Sequence, residues 1–222
     1  MVNEILFIAI VNRGMADEVL SEMQGFGLAG GIVFHGEGTV PNRILQLLGL
    51  DESQKDIIVV PIPRLFENPL HEMMLQTFNI NKRYRGIAFS IPMSNNMGYD
   101  ILEEGYRFDP MLFEYHCIHV VLENDRSRDL IEVAREAGAT GGTIIRGHGA
   151  GVPSEDSYFN LQIEPEKDMV LILAKHSMIP QIREAIVEKM ELAKPGKGIL
   201  FVMPCTRVTG LFESTGIRGV GA

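Results

Sequence analysis

The chain has 222 residues, of which 45% are hydrophobic and 22% charged, with a formal net charge of −9. This ordinary globular composition excludes a disordered or low-complexity chain. Because neutralising phosphates requires clustered Lys and Arg, the charge predicts no nucleic-acid surface. The longest apolar run, residues 5–11, is too short for a membrane span. Two cysteines and an N-terminus without a basic segment predict a cytoplasmic protein with no membrane insertion.

In the first half of the chain, four apolar runs predict short strands at residues 4–11, 31–35, 56–62 and 86–91. Apolar residues at helical spacing predict two helices, at residues 15–23 and 69–78. The second of these begins with a proline near its first position, where the missing N–H costs nothing. The predicted order is β-α-β-β-α-β.

The second half repeats this order. Its predicted strands cover residues 116–122, 143–146, 168–174 and 198–203, and its predicted helices cover residues 127–137 and 180–192. The order is that of the ferredoxin-like unit, so the predicted fold class is α+β, with two tandem units. Each unit should form a four-stranded antiparallel sheet with both helices on one face. Because the strands are apolar on both sides, we expect the open face to pack against another sheet, from the sister copy or another subunit.

Glycines show that the halves are copies of each other. Five glycines recur at a constant offset of 111, pairing Gly27, Gly30, Gly31, Gly36 and Gly38 with Gly138, Gly141, Gly142, Gly147 and Gly149. Further along the chain the offset becomes 112, as between Lys55-Asp56 and Lys167-Asp168. An internal repeat of this kind indicates duplication. We predict copy one at 1–98, a connector at 99–115, copy two at 116–210 and a glycine-rich tail at 211–222.

Between the second and third strands of each copy, long loops are predicted at residues 36–55 and 147–167. Loops beyond roughly 12–15 residues in a compact domain are usually functional or disordered. Gly36-Glu37-Gly38 opens the first loop and Gly147-His148-Gly149 opens the second. Alternate glycines can let backbone N–H groups converge on an anion. A simple turn at the end of a strand is an equally good interpretation.

Copy two resembles the P-II nitrogen-regulatory signalling proteins in residues 136–143, 147–149 and 196–204, and copy one resembles them more faintly in residues 85–92. The resemblance implies a non-enzymatic regulator, usually a homotrimer, so a homo-oligomer is expected here. It implies that a small anionic metabolite, an adenine nucleotide such as ATP, ADP or AMP, binds in clefts between copies or subunits. The long loops would then dock on a regulated protein partner in nitrogen or carbon metabolism.

The same resemblance implies particular ligand-binding residues. Thr143 matches the family's threonine on the second strand, and Gly196-Lys197-Gly198 stands where the family has Gly-Asp-Gly-Lys. Lys197 would contact a phosphate from a new position. Copy one offers three cations just before its last strand. The predicted ligand-binding residues are Thr143, Gly147, His148, Gly149, Gly196, Lys197 and Gly198 in copy two, and Gly36, Glu37, Gly38, Lys82, Arg83 and Arg85 in copy one.

The two copies differ in charge. Residues 1–110 carry a net charge of −6 and residues 111–222 a net charge of −3. With different loops and different cationic positions as well, the copies are expected to have diverged, so that one binds the ligand while the other completes the assembly.

Two other classes of protein share this order of strands and helices. An amino-acid-sensing regulator of the ACT type binds its ligand at a glycine turn after the first strand, which fits Arg13-Gly14 but not residues 123–125. An enzyme would need a convergent acid–base pair, and the sequence shows none. His116 and His119, three residues apart on a strand, should face opposite sides, so no metal site is predicted.

Overall fold

The structure is a computed structural model that describes residues 4–28, 30–39, 53–93, 113–148 and 166–211. Copy one contains β1 (Glu4–Asn12), α1 (Ala16–Gly25), β2 (Ile32–Gly38), β3 (Ser53–Pro63), α2 (Glu67–Gln76) and β4 (Gly86–Pro92). Copy two contains β5 (Tyr115–Glu123), α3 (Ser127–Glu136), β6 (Thr143–His148), β7 (Glu166–Lys175), α4 (Ile179–Lys189), β8 (Ile199–Cys205) and β9 (Arg207–Thr209). Within the described part of the chain, no helix is long and apolar enough to cross a membrane.

Each copy forms the antiparallel ferredoxin-like sheet that the sequence predicts. The strand order is β4-β1-β3-β2 in copy one and β8-β5-β7-β6 in copy two. One side of each sheet packs against its own two helices, because alternate strand residues such as Phe7 and Ile58, or Ile118 and Ile172, turn towards them. The α+β fold class and the repeated unit are therefore confirmed.

The two half-sheets join into one sheet. Gly36, Glu37 and Gly38 of β2 pair with Ile145, Ile144 and Thr143 of β6, and this antiparallel ladder links the copies. At the far side of the sheet, β9 pairs with β4 while β8 pairs with β5. Only Thr206 separates β8 from β9, and its N–H donates to the carbonyl of Ser90 at 2.9 Å. One bent strand thus bridges the two outer strands, and the sheet closes on itself.

Closure buries the second face of each half-sheet. A core cluster inside the closed sheet combines Ile8, Ile57 and Phe89 of copy one with Cys117 and Leu171 of copy two. All five are at most 5% exposed. The prediction that the open face packs against another sheet is confirmed, and the partner is the sister copy.

A buried histidine fastens the closing strand β9. Both ring nitrogens of His71 are bonded, Nδ1 to the hydroxyl of Thr209 at 2.7 Å and Nε2 to the hydroxyl of Ser90 at 2.9 Å. The hydroxyl of Thr206 also donates to the carboxylate of Glu67. These contacts tie the end of copy two to α2 and β4 of copy one. Sequence periodicity could not predict β9, because three residues show no pattern.

Replacing Gly36 should separate the ladder between the copies. A Cβ at this position would lie 2.4 Å from the carbonyl oxygen of Ile144 and 2.9 Å from Ile57 Cδ1. Gly36→Ala should therefore lower the free energy of unfolding by about 2 kcal/mol, as overpacking does. Gly147→Ala is the matched control in copy two, since its Cβ would meet nothing closer than 3.6 Å. Urea unfolding of both variants checks this, and equal losses of stability would contradict the proposed role of Gly36.

Acid should weaken the fold through its buried histidines. Burial, helped by the charge of Arg207, lowers the pKa of His71 to about 3, and burial lowers the pKa of His119 to about 4. The unfolded chain binds protons below its ordinary histidine pKa of 6.5 while the folded chain does not, so stability falls as pH falls from there. Between about pH 7 and pH 5 each histidine should remove about 2 kcal/mol.

Denaturant titrations at the two pH values measure this loss. His71→Gln, although less stable at pH 7, should show a smaller pH dependence than the parent chain. An unchanged pH dependence in that variant would show that His71 does not carry the effect.

Candidate functional site

The strands continue into both Gly-x-Gly segments. β2 extends through Gly38 and β6 through His148. Gly36, Glu37 and Gly38 pair with β3 on one side and with β6 on the other. Because ladder pairing turns successive N–H groups towards neighbouring strands, these groups do not converge on an anion. The prediction that the backbone N–H groups of Gly36-Glu37-Gly38 converge on an anion is therefore wrong. Gly149 and residues 40–52 and 150–165 lie outside the described part of the chain.

Four of the predicted ligand-binding residues lie at the joint between the copies. Gly36, Glu37 and Gly38 lie in the ladder with β6. Thr143, which pairs with Gly38, is 6% exposed. Arg146 NH2 donates to both carboxylate oxygens of Glu37, at 3.0 and 3.1 Å. Thr39 exchanges three hydrogen bonds with Gly142: its N–H and hydroxyl donate to the Gly142 carbonyl, and its hydroxyl accepts from the Gly142 N–H. In this structure these groups hold the copies together.

The remaining predicted residues fall into two separate groups. Because β2 runs antiparallel to β6, the two strands finish at opposite ends of the sheet. We call end one the sheet end where β1 finishes at Asn12, and end two the sheet end where β5 finishes at Glu123. Lys82, Arg83 and Arg85 lie at end one, and Gly147, His148, Gly196, Lys197 and Gly198 lie at end two.

End one carries an exposed cationic turn. Gly86 pairs with Val11, which places the preceding Lys82, Arg83 and Arg85 next to the end of β1. All three side chains are exposed, and the Arg83 guanidinium lies 4.8 Å from the ring centre of Tyr84. Among the residues that the structure describes, none of the three cations forms an ion pair.

A buried lysine lies on β3, on the other side of β1 from this turn. Lys55 pairs with both Gly36 and Asn12 across the sheet, and its Nζ donates to Asn12 Oδ1 at 2.6 Å. The residue is 8% exposed, and burial lowers the pKa of Lys55. Lys55 thus donates to a neutral amide, and an anion bound nearby would stabilise the charged form of this lysine.

The N-terminus of α1 is closed by the protein itself. Asp56 accepts from the N–H of Gly14 at 2.7 Å and of Ala16 at 3.4 Å, while Arg13 Nε and His35 Nδ1 lie 3.5 and 3.1 Å from its other oxygen. A carboxylate at a helix N-terminus satisfies its free donors. The Arg13-Gly14 turn, which the ACT-type alternative would use, is therefore occupied by a side chain of the same copy.

End two has similar backbone geometry but a different charge pattern. Gly147 pairs with Lys167, and Lys167 pairs with Glu123, whose carboxylate lies 3.8 Å from Lys167 Nζ. Glu123 occupies the place of Asn12 in copy one. In the turn before β8, Lys194 pairs with Glu191, and the N–H of Lys197 donates to the Lys194 carbonyl. Carboxylates therefore neutralise part of the positive charge at end two.

The turns before the last strands are structural equivalents. Gly196 has φ of 79° where Tyr84 has 65°, and Gly198 has 146° where Gly86 has 150°. The Gly196-Lys197-Gly198 motif of copy two thus corresponds to Tyr84-Arg85-Gly86, so Arg85 stands in the position of Lys197. Sequence comparison could have paired these turns through the offset of 112.

Four buried groups, Asp168, Cys117, Cys205 and His119, have shifted pKa values. Burial raises the pKa of Asp168, which is 2% exposed and accepts a hydrogen bond from Ser127. Burial also raises the pKa of Cys117 and brings that of Cys205 to about 12. His119 stacks on Phe201. Of the four, Cys205 lines a cleft of about 370 Å³ that also contains Glu114, Tyr115 and Arg207, but it is only 3% exposed.

Comparison with known families identifies copy two. Residues 115–212 match the family described as nitrogen regulatory protein P-II. The resemblance drawn from the sequence is therefore confirmed for these residues of the second half of the chain. No curated protein matches the chain.

Several solved structures are similar to parts of the chain. The PII protein of Arabidopsis thaliana bound to citrate is 17% identical, with 45% of this chain and 79% of that chain covered and a TM-score of 0.34. The GlnK–ATP complex of B. subtilis is 21% identical, with 42% and 85% covered and a TM-score of 0.33. An anthrone oxidase-like protein is 9% identical, with 94% and 93% covered and a TM-score of 0.27.

Proposed function

We propose that this chain is a non-enzymatic, cytoplasmic, P-II-like regulator that binds a small anionic metabolite at end one. The observation that carries the proposal is the exposed turn of Lys82, Arg83 and Arg85, which lies beside the end of β1 and has no ion-pair partner among the described residues. Phosphate binding requires several cationic donors at one place. The P-II match of copy two supports a regulatory role.

Copy one is the proposed ligand-binding copy. At end two, Glu123 lies beside Lys167 and Glu191 beside Lys194, whereas the corresponding position to Glu123 at end one is the neutral Asn12. An anion approaching end one meets less repulsion from fixed carboxylates. Copy two, residues 116–210, would then complete the assembly.

An adenine nucleotide is the proposed ligand class, because its phosphates suit adjacent Lys and Arg donors. The loop after Gly38 would report binding to a protein partner in nitrogen or carbon metabolism. Any homo-oligomer must use surfaces other than the inner sheet faces, since those already pack against each other within the chain.

Calorimetry of the full chain against AMP, ADP, ATP, a cyclic nucleotide and bicarbonate tests the proposal. We expect at least one nucleotide to bind, and we expect Lys82→Ala/Arg83→Ala/Arg85→Ala to lower its affinity by at least about tenfold, because charge-assisted bonds are lost. Lys197→Ala, at end two, is the control and should change the affinity little.

Two results would contradict the proposal. If no compound in the panel releases or absorbs heat on mixing with the chain, the proposed ligand class is wrong. Loss of binding in Lys197→Ala, with binding retained in the triple variant, would move the site to end two.

A further inference from the structure

A groove lies between α1 and α2 on the outer surface of copy one, and its lining residues do not include the cations of end one. Its volume is about 460 Å³. Phe26, which is 37% exposed, provides apolar surface, the largely buried Met73 forms part of the floor, and Glu22 and Glu72 line the groove with carboxylates. The remaining lining residues are Asn68, Pro69, Gln76 and Thr77.

Copy two has smaller residues at two of the corresponding positions. The offset of the repeat places Ala137 where copy one has Phe26, and Ala185 where it has Met73. The distance between two packed helices depends on the side chains between them. α3 and α4, which have these small residues, pack directly against each other, whereas α1 and α2 make little direct contact and leave the groove between them.

A hydrogen bond adds to the difference. Gln181 of α4 donates from Nε2 to the carbonyl of Ala137 at 2.6 Å, which ties the start of α4 to the end of α3. The corresponding residue of copy one is Pro69, which has no side-chain donor. The copies thus differ at three positions between their helices: Phe26 corresponds to Ala137, Met73 to Ala185 and Pro69 to Gln181.

The two helices that form the groove carry only acidic charges, and the one cation in contact with its described lining residues is Arg207 of β9, which donates to Asn68 Oδ1. α1 carries Asp17, Glu18 and Glu22, α2 carries Glu67 and Glu72, and neither helix contains Lys or Arg. In copy two, by contrast, the helices include Arg128, Arg135, Arg183 and Lys189. Glu22 and Glu72 are exposed, and within the described part of the chain neither forms an ion pair.

We propose that this groove binds a short, basic, amphipathic segment of a partner protein. Apolar side chains of the segment would cover Phe26, and flanking Lys or Arg would face Glu22 and Glu72. Docking of an amphipathic segment into a groove with complementary charge is a common mode of peptide recognition. The surface is separate from end one, so the chain can engage this partner independently of an anion.

Fluorescence anisotropy with the full chain tests the proposal. The probe is a fluorescein-labelled amphipathic peptide built from Leu and Lys, and its Leu and Glu counterpart is the comparison. We expect the Leu–Lys peptide alone to bind. Glu22→Lys/Glu72→Lys should lower its affinity by about tenfold. Glu184→Lys/Glu188→Lys, on α4, is the matched control with the same net charge, and it should bind within about twofold of the parent chain.

The apolar part of the site needs its own variant. Phe26→Ala should also lower the affinity for the Leu–Lys peptide by about tenfold, because an apolar anchor is removed without a change of charge. Circular dichroism checks that each variant remains folded. Equal losses in the two charge-reversed variants, unchanged binding in Phe26→Ala, or displacement of the peptide by an equal concentration of spermidine would overturn the proposal. Nucleotide affinity should not change in these groove variants, which separates this test from that of end one.

Discussion

The structure depends on burying the second face of each half-sheet. A ferredoxin-like sheet covers one face with its own helices and leaves the other bare, and here both bare faces are apolar. The chain solves this by pairing β2 with β6 on one side and β4 with β9 on the other. The core inside the closed sheet exists only while both joints hold. The placement of Gly36, Thr39, Thr206 and His71 at those joints follows from this requirement.

Closure also leaves the copies free to diverge on the outside. Equivalent backbone positions carry different chemistry, such as Asn12 against Glu123 at the two sheet ends. The same holds on the helical face, where Phe26 corresponds to Ala137. Copy two keeps the sequence features of the P-II family, while copy one presents an unneutralised cationic turn and a helix groove. We infer that both copies kept the same backbone fold after duplication, while the side chains on their outer surfaces diverged.

The sequence was sufficient to predict the regular strands and helices, but it was not sufficient to predict how the two copies join. Apolar runs and helical spacing predicted every strand and helix of the two units to within a few residues, because burial against a single neighbour imposes a clear period. β9 was not predicted, because Arg207–Thr209 is too short to show a period of apolar residues. Gly36-Glu37-Gly38 was predicted as the start of a loop, since alternate glycines are typical of turns; its close approach to Ile144 depends on a partner strand more than a hundred residues away. The cations of end one were identified from sequence, but their lack of ion-pair partners within the described residues required the positions of the surrounding strands.

Amide hydrogen exchange of the full chain tests the closed sheet most directly. The N–H of Thr39 donates to Gly142 at one joint and the N–H of Thr206 donates to Ser90 at the other. Both amides should exchange as slowly as those in the central strands β1 and β5, since opening either joint exposes the shared core. Rapid exchange at Thr39 and Thr206, with slow exchange in β1 and β5, would show two independent half-sheets and contradict the account.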